Sequence, residues 1–332
     1  INNRQNYLGL KTSFFNKVSA KSNYFVALGI DHQSVDLKSN YQGFNEDFSK
    51  LFLLEKSSNN LDYNQSKIYL TSGYEKKWKY IELKSSASIF YYSTSIHEDL
   101  SSKENNFFIS PKIDLIYEKR KYGKISLSYN YQIIPTNFSS YYQELIYKGN
   151  RQFSTNNILN YTIFGGSLFN FNYSKSKGMN NEFVVGLIYQ IQNEAIGYNS
   201  IFNPNYTVNE QIIVDGMEMI NPSLTYKYFI YPIKTKLQLN TNYSIIKSNS
   251  IANENLIRNK FSSLVFGMQL KSGFSNFWNY ELGSKLSLNK SENQLNSFSY
   301  TNFDAYSNVY FSLSKQTTLD ISYEYYNFGG QN

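Results

Sequence analysis

Polar and apolar residues alternate along most of this chain with a period of two, the spacing that sends successive side chains to opposite faces of a β-strand. In 124–133, Ile125, Leu127, Tyr129, Tyr131 and Ile133 share one face, while Lys124, Ser126, Ser128, Asn130 and Gln132 share the other. The division recurs in 109–118, where Ile109, Pro111, Ile113, Leu115 and Tyr117 oppose Ser110, Lys112, Asp114 and Glu118. Ile233, Leu237, Leu239, Tyr243 and Ile245 oppose Lys234, Lys236, Gln238, Asn240, Asn242 and Ser244. Trp278, Tyr280, Leu282, Leu286 and Leu288 oppose Asn279, Glu281, Lys285, Ser287 and Asn289, and Leu319, Ile321, Tyr323 and Tyr325 oppose Asp320, Ser322 and Glu324.

Followed throughout, the pattern predicts about fourteen strands, near 6–16, 23–42, 66–75, 78–97, 107–119, 123–134, 155–174, 181–196, 219–231, 233–246, 260–272, 277–290, 301–314 and 317–328. Short connections, such as Glu75-Lys76-Lys77, Arg120-Lys121-Tyr122 and Tyr231-Pro232, alternate with long ones at 43–65, 98–106, 135–154, 197–217, 247–259 and 290–300. One long connection carries a helical spacing. Asn137 is placed to cap 138–148, where Phe138, Tyr141, Tyr142, Leu145 and Ile146 fall on one side, with Gly149 at the C-terminal cap. No linker, repeat or shift of composition divides the chain, so 1–332 is read as one domain.

Soluble sandwiches use strands of about 5–6 residues, whereas these run to ten and beyond. A tilted strand needs about 9–11 residues to cross the hydrocarbon, and lipid favours a closed sheet because an open edge leaves backbone groups unsatisfied. Long strands, a two-faced pattern, and tight turns alternating with long loops describe an up-and-down antiparallel transmembrane β-barrel. Aromatic residues near strand ends, Trp278 and Tyr280, Tyr226, Tyr228 and Tyr231, Tyr91 and Tyr92, and Tyr323, Tyr325 and Tyr326, are candidates for its interfacial girdles.

Composition agrees with that reading. Of 332 residues, 59 are aromatic, yet only 41% are hydrophobic and 17% charged, against roughly 45–50% and about 25% in ordinary globular domains. The longest strongly apolar run, Phe183 to Tyr189, is far short of the ~20 residues of a spanning helix. Aromatic density this high also argues against disorder. With no cysteine, thiol chemistry and Cys-based zinc sites are excluded. His32 and His97 lie far apart without carboxylates at ligand spacing, and no nucleophile, base and acid converge in a pattern that supports catalysis. No cofactor is expected. The formal charge of +7 is spread along the chain, and its basic and aromatic residues follow strand alternation, so nucleic acid is not an expected partner. The acidic pairs Glu46-Asp47 and Glu98-Asp99 fall in long loops, where solvation or cation bridging to lipopolysaccharide is expected. The chain opens at Ile1 without a signal sequence, and an incomplete barrel is expected.

In its C-terminal half, roughly 123–328, the sequence resembles the barrel region of TonB-dependent outer-membrane receptors, specifically the Bacteroidetes outer-membrane β-barrel family. The resemblance is carried by 127–135 (LSYNYQIIP), Tyr147-Lys148-Gly149-Asn150, 168–174 (LFNFNYS), 224–239 (LTYKYFIYPIKTKLQL), Asn242-Tyr243-Ser244, 305–313 (AYSNVYFSL) and 319–325 (LDISYEY). It implies the bacterial outer membrane, a barrel of up to 22 strands, import past a plug moved by the TonB system, and contacts with outer-membrane lipid, lipopolysaccharide, other envelope proteins or a surface lipoprotein. The sequence departs from the family after Gly149-Asn150, where Arg151-Gln152-Phe153 replaces a proline-containing stretch, and it shows neither plug nor TonB box. A closed barrel of about fourteen strands, a non-transporting subunit of a secretion or surface assembly, and a passive pore stay open beside the importer. The lumen-facing candidates are Lys112, Asp114, Glu118, Lys124, Lys234, Lys236, Glu281, Lys285, Asp304, Asp320 and Glu324.

Overall fold

The computed structural model describes residues 2–44, 51–97, 101–136, 141, 146–149, 152–156, 163–178, 181–202, 204, 206–253, 255–273, 277–294, 296–314 and 317–329. The chain is all-β and antiparallel up-and-down. Its strands are β1 (Asn2–Ser19), β2 (Ser22–Phe44), β3 (Leu51–Lys77), β4 (Ile81–His97), β5 (Ser101–Lys119), β6 (Gly123–Pro135), β7 (Ile146–Gly149), β8 (Gln152–Asn156), β9 (Ile163–Lys177), β10 (Asn181–Phe202), β11 (Thr207–Ile230), β12 (Thr235–Ala252), β13 (Asn255–Ser272), β14 (Trp278–Glu292), β15 (Ser297–Ser312) and β16 (Thr318–Phe328). Among the described residues, fourteen form one path in sequence order, with β7 and β8 standing off it between β6 and β9. β1 and β16 end the path and do not pair with each other, and every residue of β16 is exposed.

Register turns the sequence alternation into rows. Leu28, Leu70, Ile89 and Ile109 stand side by side across β2 to β5, with Ile30, Ile68, Tyr91 and Phe107 in the next row. Ile113, Tyr129, Phe169 and Tyr189 continue the same face across β5, β6, β9 and β10. Such cross-strand apolar neighbours are the unit by which a sheet face is stabilised. The face is apolar over 24–30 on β2, 107–117 on β5, 183–191 on β10, 237–245 on β12 and 278–288 on β14. The opposite face carries the polar set.

At one end the strands meet in tight turns. Gly123 opens β6 with φ 93°, and a β-carbon there would meet the Ser174 carbonyl oxygen at 2.4 Å, so the position accepts glycine alone without strain. Between β11 and β12, Tyr231–Ile233 form a 3-10 turn closed by Lys234 at φ 45°. On the polar face, the Tyr69 ring occupies the space beside Gly29, and the Phe25 ring that beside Gly73.

At the other end the strands overrun the apolar band and the pattern inverts. Beyond Ile30 the apolar face of β2 becomes His32, Ser34 and Asp36, while Val35 and Leu37 on the other face are buried. They join Leu61, Tyr63, Tyr92 and Ile96 in a core covered by Tyr141 and Ile146, with Phe90, Phe108 and Ile196 packed against it. The Tyr141 ring stacks on Tyr63 at 5.8 Å, and its hydroxyl shares a hydrogen bond with Thr136.

The β7–β8 hairpin shows that the sheet curls. β7 touches β2, while β8 pairs in parallel with β11 over 152–156 and 207–211. Six strands separate β2 from β11 along the sheet, which in a flat sheet would be roughly 34 Å at about 4.8 Å per spacing. A two-stranded ribbon reaches both only if the polar face is concave.

Several expectations change. The segment 43–65 is mostly strand rather than loop, because β3 starts at Leu51, and 197–217, 247–259 and 290–300 are largely strand. Of the expected helix, Ile146–Lys148 are instead strand, recruited by pairing with β8, and Tyr141 is irregular. The remainder, with Asn137 and Phe138, lies outside the described residues. Tyr92 is no girdle residue: it is buried on the concave side, while its neighbour Tyr91 is exposed on the apolar face.

Candidate functional site: the polar concave face

The polar face combines neutral hydrogen-bonding side chains with charges that neutralise one another. Lys67 pairs with Asp31 at 2.8 Å, Lys227 with Glu182 at 2.7 Å, and Lys84 with Glu82 at 2.9 Å and with Glu75 at 3.6 Å. The alternation that places these groups also pairs them, since cross-strand partners on one face lie within side-chain reach.

The candidate residues distribute along this face. Lys112 and Asp114, two apart on β5, pair at 3.4 Å, and Lys124 of β6 lies 4.0 Å from Glu118 of β5. Glu281 is held by Lys271 at 3.0 Å, by the Gln269 amide at 2.7 Å and by the Tyr306 hydroxyl at 3.2 Å. Lys285 and Asp304 stand opposite each other in the β14–β15 register. Asp320 and Glu324 lie on β16 at the end of the path, where Glu324 accepts a hydrogen bond from the Tyr326 hydroxyl at 2.7 Å. Lys236 stands on β12 opposite Lys271 of β13. Lys234 is the exception: it sits in the turn before β12, because closing that turn requires a residue at positive φ.

Lys285 and Asp304 are brought together in a recess of about 650 Å³ whose polar lining includes Thr225, Asn240, Asn242, Gln269 and Tyr306, with Tyr326 at its side. Among the described residues, neither Lys285 nor Asp304 has an oppositely charged group within 4.0 Å. The recess therefore offers a cation, a carboxylate, amides and phenol rings to a polar solute. The sequence pattern alone grouped Tyr326 with the girdle aromatics and did not single out Tyr306, Lys271 or Gln269. Parity places the last two on the polar face of β13, and the register sets them opposite Glu281 and Gly283.

Among the described residues, no three His, Asp or Glu side chains are grouped to hold a metal ion. His32 shares a 3.0 Å hydrogen bond with Ser66. Glu46-Asp47 and Glu98-Asp99 lie outside the described residues.

The class these features define is an up-and-down antiparallel sheet with one apolar face and one polar, concave face. In comparisons with models of protein families and with curated proteins, the chain matches none.

Proposed function

We propose that this chain forms the wall of an outer-membrane β-barrel of the TonB-dependent receptor kind, taking up a substrate through a plugged lumen lined by the polar face. One observation carries the membrane reading: rows of apolar side chains continue from strand to strand on a single face, over lengths that match the ~9–11 residues a tilted strand needs to cross hydrocarbon. Exposed rows such as Leu28, Leu70 and Ile109 suit lipid, and the ion-paired opposite face suits a wet interior. Among the described residues, no helix is long and apolar enough to cross a membrane. The receptor reading is supported by the resemblance of 123–328 and predicts a plug and a TonB box elsewhere in the gene product.

A second reading, a structural or interaction subunit that transports nothing, draws on the β7–β8 hairpin, which occupies part of the concave side. Both readings expect the folded protein to require detergent or lipid and to migrate faster on gels before boiling than after. A protein soluble without detergent and indifferent to boiling removes the barrel. Conductance in planar bilayers then separates the functions, because a plugged or filled barrel stays silent and a passive pore conducts. A gene product lacking plug and TonB box removes the importer.

A further inference from the structure

The tight-turn end of β3 to β6 is a distinct chemical surface. The β3–β4 turn is closed by a hydrogen bond from the Trp78 amide to the Ile81 carbonyl at 2.7 Å, and the β5–β6 turn by one from the Tyr122 amide to the Lys119 carbonyl at 2.8 Å. A third bond, from the Glu118 amide to the Tyr80 carbonyl at 2.8 Å, ties the two turns together. Lys76, Lys77, Lys79, Lys119, Arg120 and Lys121 are thereby gathered around three rings. The Lys119 ammonium lies 5.0 Å from the Tyr80 ring centre and 5.1 Å from that of Tyr122, and Lys76 lies 5.3 Å from Trp78. Between the turns is a recess of about 340 Å³ lined by Lys77, Lys79, Tyr80, Lys119 and Arg120 together with Glu82 and Glu118.

The carboxylates here are already engaged. Glu82 pairs with Lys84 at 2.9 Å and with Lys77 at 4.0 Å, and Glu118 with Lys124 at 4.0 Å. Among the described residues, Lys76, Lys79, Lys119, Arg120 and Lys121 have no carboxylate within 4.0 Å, so five cations share a small surface with no anion of their own. Ring contacts attract Lys76, Lys79, Lys119 and Lys121 but do not cancel their charge. Position identifies what does. Lys76 follows Tyr74 on the parity of the apolar face, and Lys119 follows Leu115 and Tyr117 on the same face of β5. Lys76 and Lys119 stand at the foot of the apolar band, with Lys79, Arg120 and Lys121 in the adjoining turns, mixed with Trp and Tyr, the aromatic residues of the membrane interface.

We infer that this patch binds the phosphate-bearing headgroup of an anionic phospholipid in the leaflet that meets the tight turns, its acyl chains lying along Ile81, Ile113 and Leu115. The inference rests on the membrane reading above. Its test uses the chain reconstituted into phosphatidylcholine nanodiscs with and without phosphatidylglycerol, with protein-bound lipid read by native mass spectrometry. Insertion is checked in the same samples by migration before and after boiling. The unsubstituted protein is expected to retain phosphatidylglycerol over phosphatidylcholine. Lys76→Gln/Lys119→Gln/Arg120→Gln should lose that enrichment by roughly fivefold per charge removed, whereas Lys234→Gln/Lys236→Gln, in another turn and at the start of the strand that follows it, should keep it. Protein that fails to insert overturns the membrane reading and this inference with it. Protein that inserts without preferring phosphatidylglycerol, or a triple variant that keeps the preference, overturns the inference alone. Retention of lipid A above phosphatidylglycerol would assign the patch to the other leaflet, and displacement of the lipid by a soluble oligonucleotide would make it a general polyanion surface; either result overturns it.

Discussion

Single residues here are constrained by what their neighbours' backbones allow. Gly123 and Gly267 make the contrast. The first combines φ 93° with a carbonyl oxygen 2.4 Å from where a β-carbon would sit, while the second has nothing nearer than 3.8 Å. Gly123→Ala should therefore lower unfolding stability by about 1–3 kcal/mol, and Gly267→Ala should be neutral or stabilise by up to about 1 kcal/mol, both measured by urea unfolding from vesicles. Equal effects would mean that the β6 turn is not formed as described. The left-handed position at Gly123 was legible as a short connection around 120–122, but the clash with Ser174 was not, since it depends on a strand fifty residues away. At the candidate site the situation is similar. Parity assigned Lys285 and Asp304 to one face, whereas their facing each other across β14 and β15 follows from a register that alternation leaves free.

Elements were legible wherever a strand keeps one phase. On β3, Ile68 and Leu70 belong to the apolar face, but Leu61 and Tyr63 are apolar on the opposite parity. Within a window that spans both, the period-two signal cancels, and the strand reads as ending near 66. The change of phase has a physical cause: below it the apolar side chains face outward from the curled sheet, and above it they face a core under Tyr141 and Ile146. Over Ile146–Lys148 the helical spacing misled for a related reason, since pairing with β8 decides the conformation there more strongly than local periodicity. Docking of this hairpin can be tested in a chain without cysteines. Gln152 and Thr207 are register partners on adjacent parallel strands, a separation that suits a disulfide. Gln152→Cys/Thr207→Cys should crosslink on mild oxidation, while Gln152→Cys/Gln211→Cys, about four residues out of register or roughly 13 Å, should not. Crosslinking of both pairs, or of neither, would contradict the docked position.

For the whole molecule, the two faces are expected to respond unequally to the same charge. On the proposed reading, Leu70→Arg, within the apolar rows, costs about 2–4 kcal/mol of folding free energy in vesicles. Asn172→Arg, on the polar face of β9, should fall within about 0.5 kcal/mol, as surface substitutions commonly do. Similar costs at both positions would remove the assignment of one face to lipid.

The order of the strands also sets a schedule for folding. Nearly every pairing joins neighbours in sequence, so most of the sheet can grow hairpin by hairpin at small loop-closure cost. The β7–β8 ribbon is different: its contacts reach back to β2 and forward to β11, and they exist only after the intervening strands have bent into place. Its docking is then a late event that reports completed curvature, so a probe on Gln152 or Thr207 would time the end of assembly rather than its beginning.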